Sequence, residues 1–439
     1  MLLHPVMPAS SAQNAVTVLV ARGAGFEGAG GGLLECFGRV PDPRKARGVR
    51  YRLATILGLC EAAVAAGAVT VADVTVWITH ADQGILAVVG CRRSKAGVCI
   101  APHPDTVERV LAALDAQALA EEAGVFLAER AHLAEALFPL AGPVLQAAIA
   151  VDGKAVRGAI GPDGQIPYLL AAATHGGSVV IGERLIGPKT NEVPELLPLL
   201  RALDRRVPLA GRVITVDAGL TARAIARGIV GELGAHYVMT IKSNQPALYA
   251  QICALAFDPL PLGHTTTDTG HGRREKRTIK VMDAPAHIKA LYPHVAQVFV
   301  LDRYVTRKVR KRRPGSRKYS TAEVRTYISA VGVTSMTSRE AGPEHLMAYV
   351  RGHWGIENKI HWVRDVTFRE DASQVKTGSR PRVMATLRNL AIGLIRQSGR
   401  ASIAGTIRLL RHNPDLIPDI LDLPQAPKPP LKEHLRLCA

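Results

Sequence analysis

Three acidic residues lie at positions where a protein can place catalytic carboxylates. Asp152 ends the apolar run LQAAIAVD, Asp217 ends the run RVITVD, and Glu357 lies within HWGIENKIHW. They are so far apart in the chain that only folding can bring them together. Three converging carboxylates provide the hard oxygen ligands that Mg²⁺ or Mn²⁺ prefers. Two such ions about 4 Å apart can activate an attacking oxygen and stabilise a leaving oxygen at phosphorus, so the trio predicts phosphodiester chemistry.

The segment around the glutamate, residues 353–371, is dense in tryptophan, histidine and paired charge. Its apolar residues recur at helical spacing. On an α-helix, Glu357, His361 and Arg364 would lie within about 60° of one another, beside the apolar stripe. This arrangement suits an edge that binds metal or faces phosphate. The alternative is a surface helix with ordinary charge pairs and two tryptophans anchored in the core.

Strands are expected to position both aspartates. The run that ends at Asp152 is followed at hairpin distance by IPYLLAAATH and SVVIGERLIG, which predicts three antiparallel strands. A helix capped by Thr190 or Asn191 then leads to the buried strand that ends at Asp217, followed by a second helix and the strand HYVMTIKSN. This alternation predicts parallel central strands, and ligands collect where the chain leaves such strands. A turn or capping aspartate is the alternative for either residue taken alone.

A β-rich, basic insertion is predicted at about 245–342, between the second aspartate and the glutamate. Residues 303–318 contain nine lysines and arginines and no acid, interleaved with Tyr304 and followed by Tyr319. This pattern favours a module that grips a phosphate backbone, although a solvated loop is the usual account of one such run. The residues expected to contact DNA are Arg273, Arg274, Arg307, Lys308, Arg310, Lys311, Arg312 and Arg313.

Composition also points to a polyanionic partner. The 439 residues include 55 lysines and arginines against 37 acids, a formal charge of +18, and 47% of them are hydrophobic. The chain can therefore bury a core in two or three domains, and the excess charge favours nucleic acid over membrane. Six scattered cysteines match no zinc pattern and are expected as thiols in a reducing cytoplasm. There is no Walker-type glycine loop, so ATP-driven activity is not indicated.

An alanine-rich stretch at 53–78 is about long enough to span a membrane. Because Glu61 lies inside it, a buried helical hairpin in a soluble domain is favoured over a membrane protein. Basic patches at 44–52 and 92–95 could meet DNA, with solvated surface as the alternative for each. The predicted division of the chain is a flexible leader at 1–32, a helical N-terminal domain at 33–140, an α/β catalytic domain at 144–412 and a proline-rich tail at 413–439, which is expected to be extended or disordered.

Five motifs together resemble those of a known family. In chain order they are VDGKAVRGA, VITVDAG, YVMTIKSNQPAL, HGRREKRTI and HWGIENKIHWVRDVTFRED. They are similar to the DDE transposases of bacterial insertion sequences, in the branch that includes the H-repeat-associated proteins, and the similarity covers about 33–400. The resemblance implies a ribonuclease H-like catalytic domain with a β-rich insertion. It also implies that Asp152, Asp217 and Glu357 are the metal-binding catalytic residues.

Further positions follow from the same resemblance. In the wider superfamily a tyrosine, an arginine and a lysine near the glutamate hold the phosphates of the transposon end. Here the arginine position is His353, the lysine position is Arg364, and the tyrosine position is Val350 with Tyr349 beside it. Phosphate contacts by His353 and Arg364 are therefore expected.

The implied reaction begins when metal-bound water hydrolyses the phosphodiester at the element's end. The freed 3′ hydroxyl then attacks target DNA. Two Mg²⁺ or Mn²⁺ ions, double-stranded DNA of the element ends and of the target, and a homodimer assembled on DNA are the expected cofactors and partners. Two alternatives remain open, a ribonuclease H-like nuclease or resolvase that cuts without joining, and a non-catalytic DNA-binding descendant.

Overall fold

A computed structural model describes residues 32–47, 49–137, 147–161, 164–187, 191–261, 263–270, 272–312 and 319–424. In this part of the chain nine strands form one mixed sheet in the order β3-β2-β1-β4-β5-β9-β8-β7-β6. The strands are β1 (Ala148–Ala155), β2 (Tyr168–Thr174), β3 (Val180–Ile186), β4 (Val213–Val216), β5 (His236–Ile241), β6 (His264–Gly270), β7 (Arg273–Asp283), β8 (Gln297–Arg312) and β9 (Tyr319–Thr334).

Helices precede, connect and follow the strands. The α-helices are α1 (Leu33–Gly38), α2 (Leu53–Ala65), α3 (Val71–Thr79), α4 (Gln83–Val88), α5 (Pro104–Ala113), α6 (Ala116–Leu137), α7 (Glu192–Asp204), α8 (Arg223–Arg227), α9 (Pro246–Cys253), α10 (Ala286–Leu291), α11 (Pro343–Gly355), α12 (Arg380–Gln397), α13 (Ile403–His412) and α14 (Ile417–Leu421). The fold is thus mixed α/β with a helical N-terminal region, as predicted.

The sheet brings the two aspartate strands together. β1, β2 and β3 are antiparallel neighbours, whereas β4 pairs in parallel with β1 and with β5. The register places Val151 opposite Val216, so Asp152 and Asp217 are the next residues on neighbouring strands. β4 ends there, while β1 continues to Ala155. The predicted antiparallel trio and the predicted parallel pairing are both confirmed.

The insertion continues this sheet. β6 to β9 are antiparallel, which confirms the predicted β-rich character, and β9 also pairs with β5. Gly332 lies at this junction, where a side chain would collide with the ring of Phe299 and the carbonyl oxygen of Met239. The absence of a side chain therefore lets β9 lie between the two halves of the sheet.

The helices of both chain ends share one core. Leu57 of α2, Leu119 of α6, Leu390 of α12 and Ile420 of α14 are buried in the same cluster. The stretch at 53–78 forms α2 and most of α3, which pack together, so the predicted pair of helices is confirmed. Among the residues described, no helix is both long and apolar enough to cross a membrane.

One conformational prediction is wrong. The tail was expected to be extended or disordered from residue 413, but α14 forms there and buries Ile417 and Leu421 completely. The proline at 418 lies in the first turn of α14, where proline needs no hydrogen-bond donor, and the apolar residues around it supply the core contacts. Residues 425–439, the leader up to residue 31 and the predicted junction at 140–144 lie outside the described residues.

Candidate active site

The two aspartates lie at one edge of the sheet and are differently supported. Asp217 accepts a hydrogen bond at Oδ1 from the backbone N–H of Leu220, 3.2 Å away. Asp152 is mostly buried, with 17% of its side chain exposed. Burial raises the pKa of Asp152 to about 7, opposed by a backbone hydrogen bond from Gly153 and reinforced by the charges of Glu357, Asp217 and Glu192. The aspartates predicted to converge are therefore close enough to repel each other.

Glu357 reaches the same edge from the segment that follows α11. Burial, and then the charge of Asp217, raise the pKa of its carboxyl, while Lys242 opposes the shift. Lys242 itself is exposed at the end of β5. All three predicted carboxylates thus interact electrostatically, and an exposed lysine adjoins them.

The backbone carrying Glu357 is a π-helix, Ile356–His361, and a second π-helical segment covers Val363–Thr367. Ile356 and Ile360 are buried against the small residues Ala150, Ala171 and Ala173 of β1 and β2. Small side chains let the helix approach the sheet closely. π-helical turns in longer helices occur frequently at functional sites.

This geometry separates residues that an α-helix would have aligned. A π-helix closes each turn with an i→i+5 bond, so residue i+7 lies roughly half a turn from residue i. Arg364 accordingly leaves the site. It is fully buried and donates from Nε and Nη2 to the two oxygens of Glu370, at 2.9 and 3.0 Å. The predicted phosphate contact of Arg364 is wrong because its charged group is neutralised away from solvent.

His361 stays at the site. Its Nδ1 lies 3.4 Å from Oδ2 of Asp152, and its Nε2 is buried with no hydrogen-bond partner among the residues that the structure describes. Burial lowers the pKa of His361 to about 3, with Arg364 and Lys154 adding to the effect. The imidazole is therefore neutral at pH 7 and does not compensate the charge of Asp152.

His353 lies behind the second aspartate. Its Nδ1 is 3.1 Å from Oγ1 of Thr215, which is also 2.8 Å from Nε2 of His175. The ring is largely buried, which lowers its pKa, although Asp217 opposes this shift. The contact of His353 with DNA remains a prediction.

The residues at the tyrosine position lie in the core. Tyr349 and Val350 are both buried, at 2% and 7% exposure, in the core beneath α11. The ring of Tyr349 meets the edge of His175, with their centroids 6.4 Å apart. These residues hold the helix against the sheet instead of facing solvent.

The predicted DNA-binding residues of the insertion lie on long neighbouring strands. Arg273 is opposite Arg307, and the side chains of Arg274, Arg307 and Lys308 are exposed. Arg273 also pairs with buried Glu275, 3.1 Å away, so part of its charge is neutralised. Arg310, Lys311 and Arg312 continue along β8, and Arg313 lies outside the described residues. Their contacts with DNA remain predictions.

Sequence reasoning missed two features of the site. Trp354 and Trp362 are 52% and 55% exposed, so the alternative that anchored both tryptophans in the core is wrong. Glu192, the first residue of α7, lies near Asp152 although its sequence context indicated only a helix start. The two tryptophans that flank Glu357 in HWGIENKIHW were a signal in the sequence, whereas no sequence pattern marked Glu192.

The chemistry of the donor set fits a hard divalent cation. Asp152, Asp217 and Glu357 contribute oxygen only, and their mutual repulsion would be relieved by positive charge. In the described part of the chain, no group of three or more histidine, cysteine, aspartate or glutamate side chains is arranged to hold a metal ion. Mg²⁺ usually binds through one or two protein carboxylates together with water and substrate phosphate, so pairs of these residues suit it.

Comparisons with known proteins point to one family. The family described as "Transposase DDE domain" matches residues 146–394, and the one described as "DDE_Tnp_1-associated" matches residues 34–126. The chain is 26% identical to "Putative transposase YncI" of Escherichia coli O157:H7, over 83% of this chain and 87% of that protein. It is 27% identical to "H repeat-associated putative transposase YhhI" of Escherichia coli strain K12, over 83% and 90%. A solved piggyBac transposase synaptic complex with hairpin DNA gives a TM-score of 0.40 at 12% identity, covering 94% of this chain and 81% of that one, too weak to carry an argument.

Proposed function

Since the chain belongs to the family of transposases with a DDE domain, we propose that it cleaves DNA at the ends of an insertion sequence and joins those ends to target DNA. The observation that carries this proposal is the meeting of Asp152 and Asp217 on adjacent parallel strands with Glu357 against them. These are the three positions that the family resemblance assigns to catalysis.

The strand order supports a ribonuclease H-like catalytic domain as part of the proposal. Three antiparallel strands are followed by two strands parallel to the first, in the order β3-β2-β1-β4-β5. The insertion β6–β9 then extends the sheet between the second aspartate and the glutamate. This is the arrangement that the resemblance implies.

Asp152, Asp217 and Glu357 would hold two Mg²⁺ or Mn²⁺ ions. When bound, such ions supply Lewis acidity and a reactive oxygen nucleophile for displacement at phosphorus. The chain's own residues orient this site. The amide of Leu220 fixes Asp217, and the packing of Ile356 and Ile360 fixes the helix that carries Glu357. Preorganised carboxylates of this kind need little rearrangement during reaction.

Lysine and arginine side chains outside the acidic trio would bind the substrate. Lys242 is exposed next to Glu357, and Arg274, Arg307 and Lys308 are exposed on the insertion. Contacts to many phosphates would hold a duplex while the acidic edge acts on one of them. We expect the protein to act as a homodimer when assembled on the two ends of an element.

The test uses duplexes that carry the terminal sequences flanking the gene, with a supercoiled target plasmid and Mg²⁺. Wild-type protein should release a 3′ hydroxyl end and join it covalently to the plasmid. Asp152→Asn, Asp217→Asn and Glu357→Gln should each lose cleavage by at least about a thousandfold while still binding the ends. Glu232→Gln, which alters an exposed acid paired with Arg201, is the matched control and should keep activity.

The same assay separates the alternatives. Cleaved ends without joined product would favour a nuclease or resolvase. Binding without cleavage by the wild-type protein would favour a non-catalytic DNA-binding protein. Measurable cutting by any of the three variants would remove that residue from the catalytic set.

A further inference from the structure

One long strand edge of the sheet has no partner strand. β9 pairs with β8 over its whole length, from Tyr319 to Thr334, whereas β5 pairs only with residues 331–334 of β9. In the described part of the chain, residues 319–330 therefore have a neighbouring strand on one side only. The backbone N–H and C=O groups along the other side of such an edge are available to a further strand.

The two ends of the same sheet are protected. Helix α6 packs along β3, and Gln117 of this helix donates from Nε2 to the carbonyl oxygen of Glu183 in β3, 3.1 Å away. At the other end, β6 is only seven residues long, and its Asp268 pairs with Arg351 of α11 at 3.0 Å. Covering helices, short strands and charge all prevent an edge from pairing with another molecule.

The free edge of β9 lacks these protections. Its sequence YSTAEVRTYISA, residues 319–330, contains no proline or glycine, and its register with β8 has no bulge. The side chains of residues 323–329 are all exposed, on both faces of the strand. Among them Val324, Tyr327 and Ile328 are 39%, 56% and 48% exposed. A long, regular and partly apolar edge of this kind is a surface to which another strand can add.

The charges on this edge complement those of a second copy of the same strand. An antiparallel pairing centred on Val324 places Glu323 of each copy opposite Arg325 of the other, and the two Val324 side chains opposite each other. Cross-strand pairs of opposite charge stabilise antiparallel sheets, whereas like charges directly opposite destabilise them. A pairing centred on Glu323 or on Arg325 would oppose like charges. Charge therefore favours the register centred on Val324.

Repulsion between the basic strands is weak in this arrangement. Most of the positive charge of the hairpin lies on β8, and pairing through β9 would separate the two copies of β8 by three strand spacings, about 14 Å. Exposed charges are largely screened beyond about 8 Å at physiological ionic strength. The cross-strand pairs at the edge are much closer together, so their attraction decides the balance.

We propose that the free edge of β9 pairs antiparallel with the same edge of a second copy of this chain, around a two-fold axis at Val324. Two identical edges related in this way form an isologous interface, the commonest kind in protein dimers. The proposal goes beyond the proposed function, because it concerns the protein without DNA or metal.

The pairing would join the two insertions into one sheet. A two-fold axis perpendicular to a sheet leaves the same face of both copies on the same side. Arg307 lies on the face of β8 that carries Phe299, and Phe299 packs in the core beneath α11. The joined sheet would therefore present Arg307 of both copies on the face that α11 covers in each.

Sedimentation velocity of the full-length protein, without DNA or divalent metal and at increasing protein concentration, measures the dimer. The wild type should dimerise reversibly. Arg325→Glu should raise the dissociation constant about 10-fold or more, because two acids then face each other at both ends of the pairing. Arg408→Glu changes an exposed arginine of α13 and makes the same change in net charge, so it should stay within about twofold of wild type. A wild-type protein that remains monomeric up to its solubility limit overturns the proposal.

A mixture of two charge variants tests the register. Glu323→Arg and Arg325→Glu should each dimerise poorly alone, whereas their mixture should form a heterodimer in which both cross-strand pairs again have opposite charge. A double variant that carries both substitutions should also dimerise, within about threefold of wild type. Because Glu323→Arg also faces Lys308 within its own hairpin, circular dichroism first establishes that each variant is folded. Folded variants that form no heterodimer overturn the pairing.

Hydrogen exchange locates the interface. Amides of residues 322–330 should exchange more slowly as the protein concentration rises, whereas those of β6 should not change. Protection of residues 322–330 at every concentration would mean that the same chain covers its own edge, and protection only with DNA would mean that DNA occupies it. Either result overturns the proposal, as does a dimer in which these amides remain unprotected.

These outcomes are separate from those of the proposed function, since no measurement here uses cleavage. A monomeric protein that still joins element ends to a plasmid would overturn the pairing and leave the proposed function standing. A dimer that neither cleaves nor joins DNA would do the reverse.

Discussion

Two regions lie at opposite ends of the same helical segment, and they differ in how far their acidic side chains are compensated by positive charge. At its start, Glu357 meets Asp152 and Asp217, and burial, reinforced by repulsion, raises the pKa of Asp152 to about 7. Seven residues later, Arg364 enters a buried network in which Glu370 is so well compensated that its pKa falls to about 2, although burial alone would raise it. The negative charge at Asp152 is left largely uncompensated, whereas that of Glu370 is compensated almost completely.

The buried network shows which contacts compensate a buried acid. Glu370 accepts hydrogen bonds from Arg364 and from Nη1 of Arg388 at 2.8 Å, and Lys154 lies 4.0 Å away. Asn389 donates from Nδ2 to the second buried acid, Glu183, at 2.8 Å. Lys154 is only two residues from Asp152 on the same face of β1. The chain thus places Lys154 and two buried arginines on structural acids, whereas the lysine that adjoins the site acids, Lys242, is exposed.

The largest effect on stability is expected from breaking the network. Arg364→Met would leave Glu370 and Glu183 buried with less compensation, so we expect the free energy of unfolding to fall by about 3–5 kcal/mol. Urea unfolding followed by circular dichroism measures this change. A loss below about 1 kcal/mol would mean that the network is not the structural element described here.

Substituting Asp152 should raise stability, in contrast to substituting Arg364, and the size of the gain should depend on pH. The folded-state pKa is about 7, against an ordinary value of 3.8, so between these values the folded protein holds a proton that the unfolded chain lacks. Raising the pH through this window lowers the free energy of unfolding, by at most about 1.4 kcal/mol per pH unit.

The matched variant isolates this contribution. Asp152→Asn and wild type should be similarly stable near pH 4, and the variant should become the more stable one as the pH rises to 7.5 in the absence of metal. Unfolding curves at several pH values provide the comparison. A difference that does not change with pH would contradict the raised pKa, and added Mn²⁺ should stabilise only the wild type.

Gly153 tests the close packing of Glu192 and Tyr168 against β1. Gly153→Ala should destabilise the protein by about 1–3 kcal/mol, because its Cβ collides with Glu192 and Tyr168, and it should also reduce cleavage. Gly231→Ala is the control, since a Cβ there meets nothing within 4 Å and alanine favours a helix. Equal changes in the free energy of unfolding for Gly153→Ala and Gly231→Ala would contradict a steric collision at Gly153.

The smallest effect is expected where charges pair in solvent. Arg201 and Glu232 are about half exposed and 2.6 Å apart. Arg201→Met should lower the free energy of unfolding by less than about 1 kcal/mol, and high salt should abolish even that difference. If Arg201→Met lowered the free energy of unfolding as much as Arg364→Met, burial would not explain the difference between exposed and buried ion pairs.

Much of the sheet could be predicted because its signals are local. Apolar runs that end in Asp152 and Asp217, with two strands and a helix between them, predicted adjacent parallel strands. The position of Arg364 could not be predicted in this way, because apolar spacing does not distinguish an i→i+4 from an i→i+5 turn. Glu192 was missed because an acid in the first turn of a helix is common and favourable without any further role. The helix in the tail was missed because its prolines hid a short apolar pattern.

The central claim is that Asp152, Asp217 and Glu357 share divalent cations at one edge of the sheet. Anomalous X-ray scattering from crystals soaked in Mn²⁺ tests it most directly. The account predicts anomalous peaks bonded to the carboxylate oxygens of these three residues, and loss of those peaks in Asp152→Asn. Mn²⁺ bound only elsewhere, at concentrations that support cleavage, would contradict it.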